Sequence, residues 1–342
     1  MEYFCVENAK KFVTVFDVDG HLIDTESLGY QAYYEVIKEY FIAKNNQKAL
    51  ERFEEKFAPE NGGMNWFVKN MMGKSHGLVS KLIYEECICS FPEYLAKTEE
   101  ENKEIIDTIR SLPSNKHYAS FRYYTKQHYR RERAVFQEEF RHIREEVDRR
   151  VIARTDEKAL LPGAKDMLVN LGKNKDIAVH FVSGSSRARL ELIFKKVGLF
   201  DVIDFQHNVR GGEDFKYKTE ALEQILRQEG YTPVGSVETR PLPVSHMIFS
   251  GDSVYDAMSS KQLGITGAFF VGNVGASHCS ECYAEHAHRL LDNGADTIIT
   301  SISGLGRAIR ERIKDVKEKD AMAVNMILNV GCRYMGAEHS IS

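Results

Sequence analysis

Two patterns of apolar residues alternate along the chain and divide it. Short unbroken runs, rich in β-branched and aromatic residues, stand at Phe12–Phe16 (FVTVF), Ile177–Val182 (IAVHFV), His246–Ser250 (HMIFS), Gly267–Val271 (GAFFV) and Thr297–Thr300 (TIIT). Runs of this length read as strands buried on both faces. Among the later ones, Ala164–Leu171, Arg187–Val197, Lys218–Glu229 and Asp256–Leu263 have the texture of helices. Strands alternating with helices predict an α/β fold, a parallel sheet covered on both faces.

From about Ser27 to Lys158 the texture changes. Tyr33, Val36, Ile37, Tyr40 and Phe41 form one apolar stripe at helical spacing, and Phe136, Phe140, Ile143, Val147 and Val151 form another. Strand-like alternation is absent, so this stretch reads as an all-α module inserted after the first strand. Leu161–Pro162–Gly163 marks the return to the sheet. The expected domains are residues 1–27 with 158–315 for the sheet, 28–157 for the helical insert, and 316–342 for a tail without strand signal.

Composition adds limits. The chain has 342 residues, 43% hydrophobic and 28% charged, enough for a sizeable core under an ordinary surface. A net charge of −4 disfavours general attraction to nucleic acid or anionic membrane. The run Lys116–Lys158 leans basic with interleaved aromatics, and it reads as a solvated helix face rather than a partner surface. No apolar run is long enough to span a bilayer, and Glu2 with no following apolar stretch argues against a secretory signal. Six scattered cysteines read as reduced thiols, so a cytoplasmic location is expected, with no nucleic-acid or membrane partner.

The candidate chemistry lies where the strands end. Asp17 and Asp19 close the first run, with Gly20 ending the strand. Two carboxylates there repel each other and lose hydration unless a cation joins them, and hard oxygen ligands select Mg²⁺. The second run ends in Ser183–Gly184, and the third in Gly251–Asp252 with Asp256 four residues on. Lys216 or Lys218 opens an amphipathic helix between them. Carboxylates for a metal, a hydroxyl and an ammonium for phosphoryl oxygens together suggest phosphoryl transfer.

These segments resemble the haloacid dehalogenase-like hydrolase superfamily, in the group with phosphoglycolate phosphatase and β-phosphoglucomutase. VFDVDGHLIDTES is similar to its first motif, HFVSGSSR to the second, YKTEAL to the lysine motif with Lys218 favoured, and FSGDSVYDAMSSKQLGI to the fourth. The resemblance implies a Rossmann-like core with an inserted helical cap. It implies Asp17 as nucleophile, Asp19 as acid and base, and Ser183 and Lys218 on the phosphoryl oxygens. Mg²⁺ would be held by Asp17, the Asp19 carbonyl and Asp252, with Asp256, Gly20 and Gly184 in support. Met72–Gly73–Lys74–Ser75 resembles the cap loop that meets substrate, which makes Lys74 and Ser75 substrate candidates. The implied activity is a Mg²⁺-dependent phosphatase for a small phosphorylated metabolite. A sugar phosphomutase and a catalytically weak binding protein are the alternatives.

His21 departs from the resemblance, which most often places Thr there. Either its backbone shapes the turn, or its imidazole faces the site and titrates near pH 6–7. His278, Cys279, Cys282, His286 and His288 have ligand chemistry that suggests zinc, but Cys282 and His286 are spaced as plain helix neighbours, and that reading is preferred. Trp66, Cys87 and Cys89 read as parts of the insert's packing.

Overall fold

The computed structural model describes residues 12–71, 76–111, 116–230, 246–263, 267–274 and 283–337. The chain divides into two compact units, Met1–Thr25 with Thr155–Ser342, and Glu26–Arg154.

The first unit holds a six-stranded sheet made of β1 (Phe12–Phe16), β2 (Ile177–Val182), β3 (Val209–Arg210), β4 (Met247–Gly251), β5 (Phe269–Asn273) and β6 (Thr297–Ile299). Their order is β3-β2-β1-β4-β5-β6, and each pairing is parallel. β1 is central, with Phe16 level with Phe181 on one side and Ser250 on the other. The chain's later strands spread to both sides of β1, so the crevice beyond its carboxyl end is where such a sheet binds ligands.

Burial explains the unbroken apolar runs. Val13, Val15, Met247, Phe249 and Phe270 pack under helices Lys218–Gln228, Val254–Lys261 and Tyr283–Asp292. On the opposite face the ring of Phe181 meets Phe16 at 6.0 Å and Phe194, on helix Arg187–Lys196, at 5.5 Å. Each fully buried Phe contributes roughly 1.5–3 kcal/mol. A slip of one residue would reverse all the faces at once, so the register of β1 is strongly held. The strand expected at Gly267–Val271 begins two residues later, because Gly267 takes a left-handed φ of 71° and the Ala268 N–H bonds the Ser260 carbonyl.

The second unit is all helical: Thr25–Ala43 leads into Gln47–Phe57, Gly63–Asn70, His76–Ile83, Phe91–Glu101, Lys103–Ser111 and Lys116–Arg154. Both apolar stripes meet in its core, with Tyr33, Val36, Ile37 and Phe41 against Phe136, Phe140, Ile143, Val147 and Val151. Tyr40 is only partly buried and donates to Glu139. The Trp66 ring lies 4.4 Å from that of Phe57. Cys87 is buried among these side chains, which pushes its thiol up to about 12. In the sheet unit, residues 316–337 continue the helix Ile302–Ala337 where the sequence pattern leaves a tail. Among the described residues, no helix is long and apolar enough to cross a membrane.

Candidate active site

The end of β1 is locked by backbone. The Asp17 N–H bonds the Ser250 carbonyl at 2.8 Å. Beyond it the chain folds back: the Val18 carbonyl accepts from Leu22 at 3.1 Å and Ile23 at 3.2 Å, and Gly20 N–H reaches the Ile23 carbonyl at 2.9 Å. Gly20 holds φ 74°, a conformation that costs an L side chain energy. When the chain returns from the helical unit, Leu161 N–H bonds the Leu22 carbonyl at 3.0 Å. The insert thus leaves and rejoins the sheet beside the same turn.

Three buried carboxylates converge there. Asp17, Asp252 and Asp256 each offer an oxygen within 4.8 Å of the others, a group that could hold a metal ion. Lys218 reaches in from the start of its helix, 3.0 Å from Asp17 Oδ1 and 2.5 Å from Asp256 Oδ1. The other oxygen of Asp256 closes a capping box, accepting from Ser253 Oγ at 2.6 Å and Ser253 N–H at 3.1 Å. The carboxylates differ in their electrostatics. Burial, then the charges of Asp256 and Asp252, raise the pKa of Asp17 well above its ordinary value despite Lys218. Burial also opposes the charge on Asp256, but Lys218 and Ser253 outweigh it and hold its pKa low. Lys218 itself is kept protonated, as Asp17 and Asp256 overcome its desolvation. Lys218 thus pairs with two of the three acids, Asp17 and Asp256.

Asp19 stands apart from them. Its Oδ1 accepts from Thr25 Oγ1 at 2.8 Å and Arg189 at 2.9 Å, and its Oδ2 from Ser183 Oγ at 2.7 Å and Ser185 Oγ at 2.8 Å. Burial would raise its pKa. The Arg189 charge and the three hydroxyl donors prevail and hold it well below the usual carboxylate range.

The sequence candidates therefore fall into sets. Asp17, Asp252, Asp256 and Lys218 meet in one group, and Asp19 with Ser183 forms the neighbouring one. Gly184 is exposed with open space where a Cβ would go, so the turn does not require glycine there on steric grounds. Lys216 is exposed over the Tyr217 ring, leaving Lys218 as the lysine of the site. The His21 imidazole does not face the crevice. It is fully buried, 2.9 Å from Ser250 Oγ and 3.3 Å from Asn273 Nδ2, and burial pushes its pKa down to about 3, not near 6–7. Lys74, Ser75, His278, Cys279 and Cys282 lie outside the described residues. His286 is buried with Nε2 on the Asp252 carbonyl at 2.6 Å, while His288 on the same helix is exposed. The sequence pattern does not single out Thr25, Ser185 or Arg189. Thr25 and Ser185 lie within the first two motif segments and Arg189 just beyond the second, but nothing in their residue type marks them.

Sheet order, a carboxylate-bearing central strand and an inserted helical unit define a class of α/β fold. A family model for haloacid dehalogenase-like hydrolases matches residues 13–264, and the chain belongs to that family. Similar solved structures include a predicted phosphatase from Clostridium acetobutylicum, 13% identical, covering 88% of this chain and 98% of that one, with a TM-score of 0.50. Another is a proposed β-phosphoglucomutase from Bacteroides vulgatus, 12% identical, covering 90% and 91%, also with a TM-score of 0.50. These likenesses concern the fold. A comparison with curated proteins finds no match.

Proposed function

We propose that the chain is a Mg²⁺-dependent phosphatase that hydrolyses a small phosphorylated metabolite through a phosphoryl group carried on Asp17. The observation that carries this reading is the convergence at the end of β1 of three buried carboxylates, with oxygens within 4.8 Å of one another, two of them paired with the ammonium of Lys218. A cluster of hard oxygen ligands suits a divalent cation, and the ammonium beside it suits phosphoryl oxygens. Asp17 and Asp252, with the Asp19 carbonyl, would hold Mg²⁺. Once bound, the ion would offset charge on the carboxylates and the phosphoryl oxygens.

The chain's own groups supply the rest. Asp19, ionised in the free protein, first takes up a proton from solvent as bound substrate draws the Ser183 hydroxyl onto a phosphoryl oxygen; the Asp17 carboxylate then attacks phosphorus as the ester oxygen departs with that proton. Asp19 then removes a proton from water, whose oxygen attacks phosphorus and releases Asp17 and inorganic phosphate. Lys218 and Ser183 bind phosphoryl oxygens and keep the attacking and leaving atoms in line. In the geometry described, the Ser183 hydroxyl donates to Asp19, so a phosphoryl group must take over that hydrogen bond before both residues can act.

A panel of phosphorylated metabolites assayed with Mg²⁺ for phosphate release tests the reading. One preferred substrate, with turnover that stops on chelation, is the expected result. Absence of phosphate release across the panel, with or without Mg²⁺, contradicts it. Isomerised sugar phosphate without net phosphate release would show a mutase instead.

A further inference from the structure

We infer that two buried histidines, His21 and His286, brace the segment Ser250–Gly251–Asp252 from opposite ends and thereby set the affinity of the carboxylate group for its metal. The inference rests on the metal reading above. Neither histidine touches the reacting atoms, so both are positioning residues.

The hydrogen bonds fix the protons. Ser250 Oγ donates its one hydrogen to the Val271 carbonyl at 3.1 Å, so it accepts from His21 Nε2 at 2.9 Å. The neutral ring then presents Nδ1 as acceptor to the Asn273 amide at 3.3 Å, and the same amide reaches the His21 carbonyl at 3.3 Å. Stacking on Phe16, with centroids 6.4 Å apart, holds the ring plane. One imidazole thus ties the turn after β1 to the ends of β4 and β5. On the far side His286 faces a carbonyl, which only accepts, so its Nε2 carries the proton donated to Asp252.

Gly251 lies between the two grips. A Cβ there would come within 2.6–2.7 Å of the Asp256 carboxylate, so glycine is what lets that carboxylate pack so close. His21 fixes the residue before Gly251 and His286 the residue after it. The Ser250 carbonyl also accepts the Asp17 N–H at 2.8 Å, so the brace reaches the nucleophile's strand. Groups that orient metal ligands commonly alter metal affinity by about 10–100-fold when removed.

Mn²⁺, followed by the paramagnetic resonance of the free ion, provides a readout independent of turnover. The full chain is titrated as wild type, His21→Met, His286→Met, His21→Gln and His286→Gln. The Met variants keep bulk without an N–H donor, and Gln restores a donor. Mn²⁺ binding about 10-fold or more weaker in the Met variants, with partial recovery in the Gln variants, is expected. Should a Met variant fail to fold by circular dichroism, Asn273→Ser replaces it. That change weakens the hold on the His21 ring while leaving both rings present, and it too should weaken Mn²⁺ binding. Wild-type uptake with unchanged affinity in the folded variants would overturn the brace alone. A wild type that takes up no Mn²⁺ would overturn the metal reading and the brace with it.

Discussion

Asp17 and Asp19 are two residues apart and ruled by opposite forces. Asp17 is pushed toward protonation by burial and by two neighbouring carboxylates, whereas Asp19 is held ionised by Arg189 and three hydroxyls. The sign for Asp17 follows from linkage. Its raised pKa lets the metal-free folded state keep a proton that the unfolded state loses, so stability falls as pH rises through the folded pKa. Asp17→Asn should therefore raise the Tm of metal-free protein, and the difference from wild type should widen as pH rises above the ordinary carboxylate range, while activity disappears. A Tm that drops at all pH values would show the opposite electrostatics. His21 has the reverse dependence. It stays neutral down to about pH 3, whereas an unfolded histidine protonates near 6.5, so acid destabilises the fold across that window. The slope is about 1.4 kcal/mol per pH unit at most. Urea unfolding at pH 4.5 and 6.5 should show a smaller acid loss for His21→Gln than for wild type. The presence of a histidine after Gly20 was legible in the sequence, but its direction was not. A residue after a tight turn points to crevice or core according to strands more than 200 residues away, as the contacts to Ser250 and Asn273 show.

At the scale of elements, the strand ends gather the candidate residues because parallel strands stop together at one edge. The apolar runs of β1, β2 and β4 were readable because both faces of the sheet are covered, and the turns after them were readable from Gly20, Ser183 and Gly251. β3, with two residues, has no pattern long enough to detect. The stripes of the helical unit were equally plain, since period and burial agree from Phe136 to Val151. Arg189 escaped notice because an arginine in the first turn of a helix is ordinary until the fold places it 2.9 Å from Asp19. Gly251→Ala tests the tightest of these junctions. The added Cβ would displace the Asp256 carboxylate, which holds both Lys218 and the helix cap. The expected result is a loss of at least about 10-fold in kcat/KM, or 1.4 kcal/mol, with the far-ultraviolet circular dichroism unchanged. Unaltered kinetics would mean that Asp256 tolerates being moved.

For the whole molecule, the family match over residues 13–264 and the sheet order agree on a haloacid dehalogenase-like hydrolase. A cation bound by the folded sheet unit and not by the unfolded chain must stabilise it. At a hundredfold excess over Kd, Mg²⁺ should add about 2.7 kcal/mol, or roughly 5–10 °C in the transition of that unit by calorimetry. Asp252→Asn should remove most of the shift, and an equal shift in that variant would place the ion elsewhere. The central claim is that Asp17 accepts the phosphoryl group, and acid-quench trapping addresses it most directly. Protein mixed with Mg²⁺ and ³²P-labelled acetyl phosphate is denatured in acid within the first turnover and digested. Label on the peptide containing Asp17, absent from Asp17→Asn, is the predicted result. Label on another peptide, or phosphate released at the full rate by Asp17→Asn, would contradict it.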